Sequence, residues 1–203
     1  MVNDNICPDL CKKNAHKANT LVHTAGHSPD LSTILAHHDI PPLHTWHPTQ
    51  CGEMDLCIHS DGTWWHESEQ IHREALVRQF SRILCKEGSF YFLKTPVEKI
   101  KIQVQDAPLH IERIERMCVD DKDILYFYTT DGDGVMLDEQ HRVFMQSYQG
   151  EDRPYIWIRY GLHALIPRAI FLHLIDDGQL SQDETGKTIL MLQSGDFCLH
   201  LTA

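Results

Sequence analysis

Short runs of alternating apolar and polar residues recur along the chain from residue 54 onward. Met54, Leu56 and Ile58 alternate with polar neighbours, and residues 99–104 alternate strictly, which is the period of a strand with one buried face. Similar runs predict strands in the later part of the chain at residues 124–129, 155–160, 189–192 and 197–201. The pattern therefore predicts a protein in which strands dominate both halves.

The first of these strands is followed by Asp61-Gly62, a favoured pair for a two-residue β-hairpin turn. With that turn, Trp65 pairs with Ile58, and Trp64 lies on the opposite face of the hairpin. We expect Trp64 to be buried against another element. The alternative is that its ring contributes to a ligand or partner surface.

Two helices are predicted, one in each half. The first covers residues 69–86 and ends at Gly88, and its apolar stripe consists of Leu76, Val77, Phe80 and Leu84. The second covers residues 167–176, with Pro167 in the first turn. Both begin with the pattern Ile-x-Arg followed by apolar residues three, four and seven positions after the arginine, which suggests an internal repeat.

These elements predict an α+β fold of two similar halves. Each half is a strands–helix–β-hairpin unit (ββαββ-like) with mostly antiparallel sheets. Residues 1–50 form an N-terminal extension, with a short helix near 28–38 and a Pro-rich linker at 40–48. Residues 51–106 form the first α+β domain, and residues 107–203 form the second.

Composition restricts the possible partners and the cellular location. The formal net charge of −11 disfavours binding to the phosphate backbone of nucleic acids. The sequence shows no signal peptide and no apolar run long enough to cross a membrane. The 7 cysteines are spread along the chain, as expected for reduced thiols in the cytoplasm. The oligomeric state is not predicted.

The arginines shared by the two helices are the main candidates for binding chemistry. Arg73 and Arg168 lie on the predicted apolar stripes, and a buried guanidinium requires an anion. Glu98 lies on the predicted inward face of its strand, so we expect it to pair with Arg73 as a structural ion pair or in a ligand pocket. Arg159 could join Arg168 in a small basic pocket, but the favoured position is that of a surface residue at the end of its strand. Together with Trp64, these four residues are the predicted ligand-binding set.

Metal binding is an alternative role for the N-terminal part of the chain. Cys7, Cys11 and His16 lie close in sequence, and the chain has 15 histidines, but the spacings do not match the paired motifs of structural zinc sites. The run 131–134 (Asp-Gly-Asp-Gly) is best explained as a turn, because a calcium loop starting at Asp131 would require glutamate where the chain has Arg142. No metal ligands and no cofactor are therefore assigned.

Several motifs resemble a bacterial family of unknown function, domain of unknown function family 1285. Those of the first half are Asp61-Gly62-Thr63-Trp64, Ile71-His72-Arg73, Leu76-Val77, Phe80, Thr95-Pro96-Val97-Glu98-Lys99 and Asp106-Ala107-Pro108. In the second half, the run 155–168 (YIWIRYGLHALIPR) is similar to the family. The resemblance covers about residues 50–201 and implies a two-domain α+β fold with repeated motifs. It implies no catalytic residues, and it leaves a link to signalling open.

The sequence favours a non-enzymatic regulatory or signalling module that binds a small anionic ligand or a protein partner. This expectation depends on arginines placed on apolar faces and on the lack of a recognisable catalytic motif. An enzyme of unrecognised type is the alternative. Its pocket would contain Arg73, Glu98, Arg159 or Arg168.

Overall fold

The computed structural model describes residues 40–202. The expected helix near residues 28–38 and the N-terminal Cys and His residues lie outside this range. The two α-helices are α1 (Glu74–Arg82) and α2 (Arg168–Asp177). The strands are β1 (Gln50–Ile58), β2 (Trp64–His66), β3 (Glu69–Gln70), β4 (Leu84–Glu87), β5 (Phe90–Lys94), β6 (Glu98–Val104), β7 (Leu109–Val119), β8 (Lys122–Thr129), β9 (Gly134–Met136), β10 (Val143–Tyr148), β11 (Glu151–Trp157), β12 (His163–Leu165), β13 (Gln179–Gln182), β14 (Thr188–Ser194) and β15 (Phe197–Thr202).

The strands form three sheets. The first half contains a six-stranded sheet in the order β3-β2-β1-β6-β5-β4, and the second half begins with a six-stranded sheet in the order β10-β11-β12-β7-β8-β9. In each of these sheets one central pair is parallel, β1 with β6 and β12 with β7, and the other pairs are antiparallel. A three-stranded antiparallel sheet, β13-β14-β15, follows α2. The predicted α+β class is confirmed.

The predicted first helix is longer than the observed one. Residues 69–70 form β3, and residues 84–87 form β4 instead of the last helical turn. Leu84 pairs with Leu93 across an antiparallel hairpin, and Gly88, with φ of 62°, lies in the turn of that hairpin. Both leucines are buried, so strand pairing outweighs the local helical preference. The predicted second helix agrees with α2 to within one residue at each end.

The register of the first hairpin also differs from the prediction. Ile58 pairs with Trp64, not with Trp65, because the loop has three residues instead of two. The amide of Gly62 donates to the carbonyl of His59 at 3.0 Å, and Gly62 has φ of 85°. A type I turn that ends in a left-handed glycine is a common three-residue hairpin loop.

Residues 129–133 repeat this hairpin loop in the second half. The amide of Gly132 donates to the carbonyl of Thr129 at 3.0 Å, and Gly132 has φ of 91°. Both loops contain Asp-Gly at the same positions. We refer to them as the first Asp-Gly hairpin and the second Asp-Gly hairpin.

The larger of two apolar core clusters among the described residues extends through both halves. It includes Leu56 and Ile102 from the first sheet, Ile111 and Phe127 from the second sheet, and leucines from α2, β14 and β15. Trp64 is 4% exposed in this core, so the expectation that it is buried is confirmed. Its ring stacks on Phe80 of α1 at a centroid distance of 6.0 Å. Because the core is continuous, residues of both halves come together above it.

Hydrogen bonds fasten the two halves to each other at Asp106, whose side chain is almost fully buried. Its carboxylate accepts from the hydroxyl of Tyr155 at 2.7 Å and from the guanidinium of Arg153 at 3.2 Å. On another side, the hydroxyl of Tyr160 donates to the carbonyl of Pro41 at 3.0 Å. A buried carboxylate that accepts two donors from the opposite half restricts the relative position of the halves.

Candidate functional site

A groove opens between the two Asp-Gly hairpins, with α1 as one wall. Its volume is about 530 Å³, which is inside the range of roughly 300–1,000 Å³ for small-molecule pockets. Both halves contribute lining residues: Gly62, Trp64, Ile71, His72, Glu74, Val77, Arg78, Ser81, Pro108, Leu109, His110, Glu112, Thr130, Asp131 and Gly132. We refer to this cavity as the hairpin groove.

The helical period of α1 explains why its residues line the groove. Glu74, Val77, Arg78 and Ser81 are separated by three, four and seven positions, so they lie along one face of the helix. The guanidinium of Arg78 is 3.0 Å from the carboxylate of Glu74, in an exposed pair one turn apart. This wall is charged at its start and uncharged at its end.

The first hairpin contacts the second half through His110. A methyl group placed on Gly62 would lie 3.2 Å from the imidazole of His110, so the ring packs closely against the glycine backbone. The Nε2 atom of His110 is buried and has no hydrogen-bond partner among the described residues. This burial lowers the pKa of His110 below its ordinary value, which keeps the ring neutral at pH 7.

The second hairpin contacts the first half through Asp131. Its carboxylate accepts hydrogen bonds from the hydroxyl of Ser81 and, at 2.5 Å, from the hydroxyl of Thr129. Ser81 is 1% exposed, so its hydroxyl donates to Asp131 instead of to bulk water. The hydrogen bond from Ser81 to Asp131 therefore holds α1 against the second hairpin at the base of the groove.

Arg159 lies behind this contact and bridges the halves. Its Nε donates to the carboxylate of Asp133 at 2.5 Å, and its Nη2 donates to the carbonyl of Ser81 at 3.1 Å. A second terminal nitrogen, Nη1, is 3.5 Å from the carbonyl of Leu84. Because the Arg159 and Asp133 side chains are only 13% and 9% exposed, this is a buried ion pair. Its donors are committed to protein acceptors.

The structure does not bring the predicted site residues together. Arg73 is exposed at the residue preceding α1, and Arg168 is exposed at the first residue of α2. Glu98 is exposed at the start of β6, where its backbone bonds with Thr95. Among the ion pairs of residues 40–202, none joins Arg73 to Glu98.

The expectation that Arg73, Glu98 and Arg168 point inward is therefore wrong. Each lies at the end of its element, where the side chain reaches water instead of following the apolar stripe. Arg159 is not the surface strand-end residue that the sequence favoured. It does not form a free basic pocket either, because its guanidinium is paired with Asp133. That any of these four residues binds a ligand stays a prediction.

Trp64 alone of the predicted set lines the hairpin groove. Sequence reasoning missed Ser81, His110 and Asp131, which meet only in the folded chain. One signal was available: both Asp-Gly loops carry the same three-residue pattern, and related turns often occupy related positions. The distance in sequence, 50 positions from Ser81 to Asp131, left the contact itself unpredictable.

Metal binding finds no support within residues 40–202. There, no group of three or more His, Cys, Asp or Glu side chains is arranged to hold a metal ion. None of the cysteines described in this range forms a disulfide: Cys51, Cys57, Cys85, Cys118 and Cys198. The candidate ligands Cys7, Cys11 and His16 lie outside the described residues. Within residues 40–202, both α-helices lack the length and apolar character that a membrane span requires.

A second buried histidine, His163, lies apart from the groove. It is 3% exposed, and Phe144, Tyr155 and Trp157 surround its ring. Neither ring nitrogen has a hydrogen-bond partner among the described residues. Burial, reinforced by the nearby charge of Lys86, lowers the pKa of His163 to about 4. The ring is therefore neutral in the folded protein near pH 7.

Comparisons with known proteins identify two adjoining matches. Residues 41–107 match the model of the N-terminal domain of the DUF1285 domain of unknown function. Residues 108–201 match the model of the C-terminal domain of DUF1285 proteins of unknown function. No curated protein matches the chain.

Two solved structures are similar. A DUF1285 family protein from Silicibacter pomeroyi DSS-3 is 34% identical, with a TM-score of 0.70, over 86% of this chain and 95% of that chain. A DUF1285 family protein from Shewanella baltica OS155 is 28% identical, with a TM-score of 0.48, over 60% of this chain and 90% of that chain. The boundary between the two matched models, at residues 107 and 108, lies beside the hairpin groove.

Proposed function

The chain belongs to the DUF1285 family, whose function is unknown, and from that premise we propose that it is a non-enzymatic regulatory module that binds a small ligand in the hairpin groove. The observation that carries the proposal is the position of the groove. It lies at the junction of the two family domains and is built from both. Ligand sites occur preferentially at domain interfaces.

A ligand in the groove would contact both halves at once. Gly62 and Ser81 come from the first half, and His110 and Asp131 come from the second. Binding would therefore stabilise the docked arrangement of the halves relative to any looser arrangement, in proportion to the difference in affinity. In a module of this kind, ligand binding changes the rigidity or the exposed surface of the protein, and a partner responds to that change. No chemical step is needed.

We also propose that the two halves are copies of one repeated unit. Each contains an Asp-Gly hairpin with a left-handed glycine, at Gly62 and Gly132. Each contains a helix followed by a three-stranded antiparallel meander, β4-β5-β6 after α1 and β13-β14-β15 after α2. The groove then lies where the two equivalent hairpins face each other. We also propose a cytoplasmic location, as expected from cysteines that form no disulfide among the described residues.

A thermal-shift screen of a metabolite library tests the binding function. A ligand present at 100 times its dissociation constant adds about 2.7 kcal/mol to stability, which raises the melting temperature of a domain this size by roughly 5–10 °C. The discriminating variant is Thr130→Trp, because Thr130 is exposed and lines the groove. The indole of this variant fills the cavity.

Ser89→Trp is the matched control. Ser89 is exposed in the β4–β5 hairpin and does not line the groove, so the added indole projects into solvent. A hit that persists with Ser89→Trp and disappears with Thr130→Trp supports the groove as the binding site. Hits that bind both variants equally, or a library with no hits at all, would count against the proposed function.

A further inference from the structure

We infer that the hairpin groove selects a ligand that carries a positively charged amine on an apolar body. This inference rests on the proposed function and adds the chemical class of the ligand. It replaces the anionic ligand expected from the sequence, because the arginines behind that expectation lie on the surface or are already paired.

The base of the groove has more carboxylates than cations. Arg159 serves two acidic residues: its Nε is 2.5 Å from Asp133, and its Nη2 is 4.0 Å from Asp131. The guanidinium attracts the Asp133 carboxylate more strongly than the Asp131 carboxylate, because Coulomb attraction falls with distance. Asp131, which lines the groove, is the more distant of the two partners of Arg159.

A similar arrangement occurs at Arg113, which follows Glu112 in β7. Its Nε is 2.8 Å from Glu115, whereas its nearest contact with Glu112 is 3.9 Å. Glu112 lines the groove and is the weaker partner, so its carboxylate is available to a ligand. Arg78 and Glu74 neutralise each other at 3.0 Å. Among the described residues, three carboxylates line the groove, those of Glu74, Glu112 and Asp131, against one guanidinium, that of Arg78, which leaves two negative charges in excess in the lining.

The lining of the groove contains little positive charge. Among the described residues that line the groove, Arg78 is the only arginine or lysine. The half-buried ring of His110 packs against Gly62, and a neutral imidazole adds no charge. An anionic ligand would therefore meet net repulsion, whereas a cation would meet attraction from Asp131 and Glu112.

The apolar residues of the lining indicate that the ligand also has an apolar part. Trp64, Ile71, Val77 and Leu109 line the groove together with the charged residues. Apolar contact area with these side chains contributes affinity that a bare inorganic cation cannot obtain. Pockets of this kind usually combine an apolar lining with a few polar groups that set orientation.

The test is a ligand-observed NMR screen with matched pairs of fragments. In each pair the same ring or chain carries an ammonium group or a carboxylate, for example tryptamine and indole-3-propionate. Groove binding is defined as a saturation-transfer signal that the Thr130→Trp variant loses and the Ser89→Trp variant retains. We expect the amines to dominate this groove-binding set, and their binding to weaken as salt is added.

The Glu112→Gln variant then tests the origin of the preference. We expect the dissociation constant of a groove-binding amine such as tryptamine to rise about five-fold, as for the loss of one partly exposed ion pair. Glu139→Gln, an exposed residue outside the groove, makes the same charge change and is expected to leave the constant unaltered.

The outcomes separate this inference from the proposed function. If carboxylates dominate the groove-binding set, or if Glu112→Gln leaves amine binding unaltered, the inference is overturned and the groove remains a binding site. If no fragment of either charge distinguishes Thr130→Trp from Ser89→Trp, the inference and the proposed function both fail.

Discussion

The ion pair between Arg159 and Asp133 is the contact whose removal we expect to cost the most stability. The variant Arg159→Met keeps much of the aliphatic volume and deletes the charge. It leaves the buried Asp133 carboxylate without its cation and takes the donor from the carbonyl of Ser81. Breaking a buried pair by removing one partner costs about 3–5 kcal/mol, because the remaining charge stays uncompensated.

The expected change in melting temperature follows from that loss. For a chain of about this length, 1 kcal/mol corresponds to roughly 2–4 °C, so Arg159→Met is expected to melt about 6–20 °C below the parent protein. The assay is urea unfolding followed by far-UV circular dichroism, with calorimetry for the melting temperature. Arg78→Met is the matched control, because its exposed pair with Glu74 contributes no more than about 1 kcal/mol.

A second variant tests whether the unpaired charge is the cause. Adding Asp133→Asn to Arg159→Met removes the isolated carboxylate charge, so the double variant should regain part of the lost stability. A loss below about 1 kcal/mol for Arg159→Met would refute the reasoning, since that is the value for an exposed pair. A double variant less stable than the single one would show that the buried charge is not the main cost.

Three further predictions concern local features. His163 has a folded pKa of about 4, below the unfolded value of about 6.5, so the unfolded state binds the proton more readily. Its neutral form favours folding above pH 6.5, and about 3 kcal/mol of that stability should be lost as pH falls from 6.5 to 4, whereas urea unfolding of His163→Phe should show a smaller loss. Gly134→Ala should lose about 1–3 kcal/mol, because its Cβ would lie 2.5 Å from the ring of Tyr126, whereas Gly52→Ala, with nothing within 4 Å, should not show that steric loss in urea unfolding. Glu98→Gln should change the free energy of unfolding by less than about 0.5 kcal/mol, and a larger loss would restore the hypothesis of a buried pair.

The sequence by itself determined the elements whose signals are local. Strict alternation predicted β6, and a proline followed by an apolar run predicted α2 to within one residue. The strands β14 and β15 of the closing hairpin were also predicted, from their two apolar runs. These predictions succeeded because each depends on residues that are neighbours in the chain.

Only the tertiary structure decided the contacts that compete with local preference. The helical pattern continued to residue 86, yet β4 forms there because Leu84 gains a buried partner in Leu93. The strand β7 was not predicted, because its charged residues obscure the alternation of apolar and polar positions. It forms a strand by pairing with β8. Periodicity alone predicted that Arg73 and Glu98 point inward. Both residues lie at the ends of their elements, where side chains reach water.

The contacts that form the hairpin groove were decided by the tertiary structure. The hydrogen bond from Ser81 to Asp131 spans 50 positions, and that from Arg159 to the carbonyl of Ser81 spans 78. Residue type and spacing along the chain carry no information about which distant side chains will meet. The meeting is set by the shared core beneath both halves, which brings the two Asp-Gly hairpins together because burying that apolar surface is the main favourable term in folding.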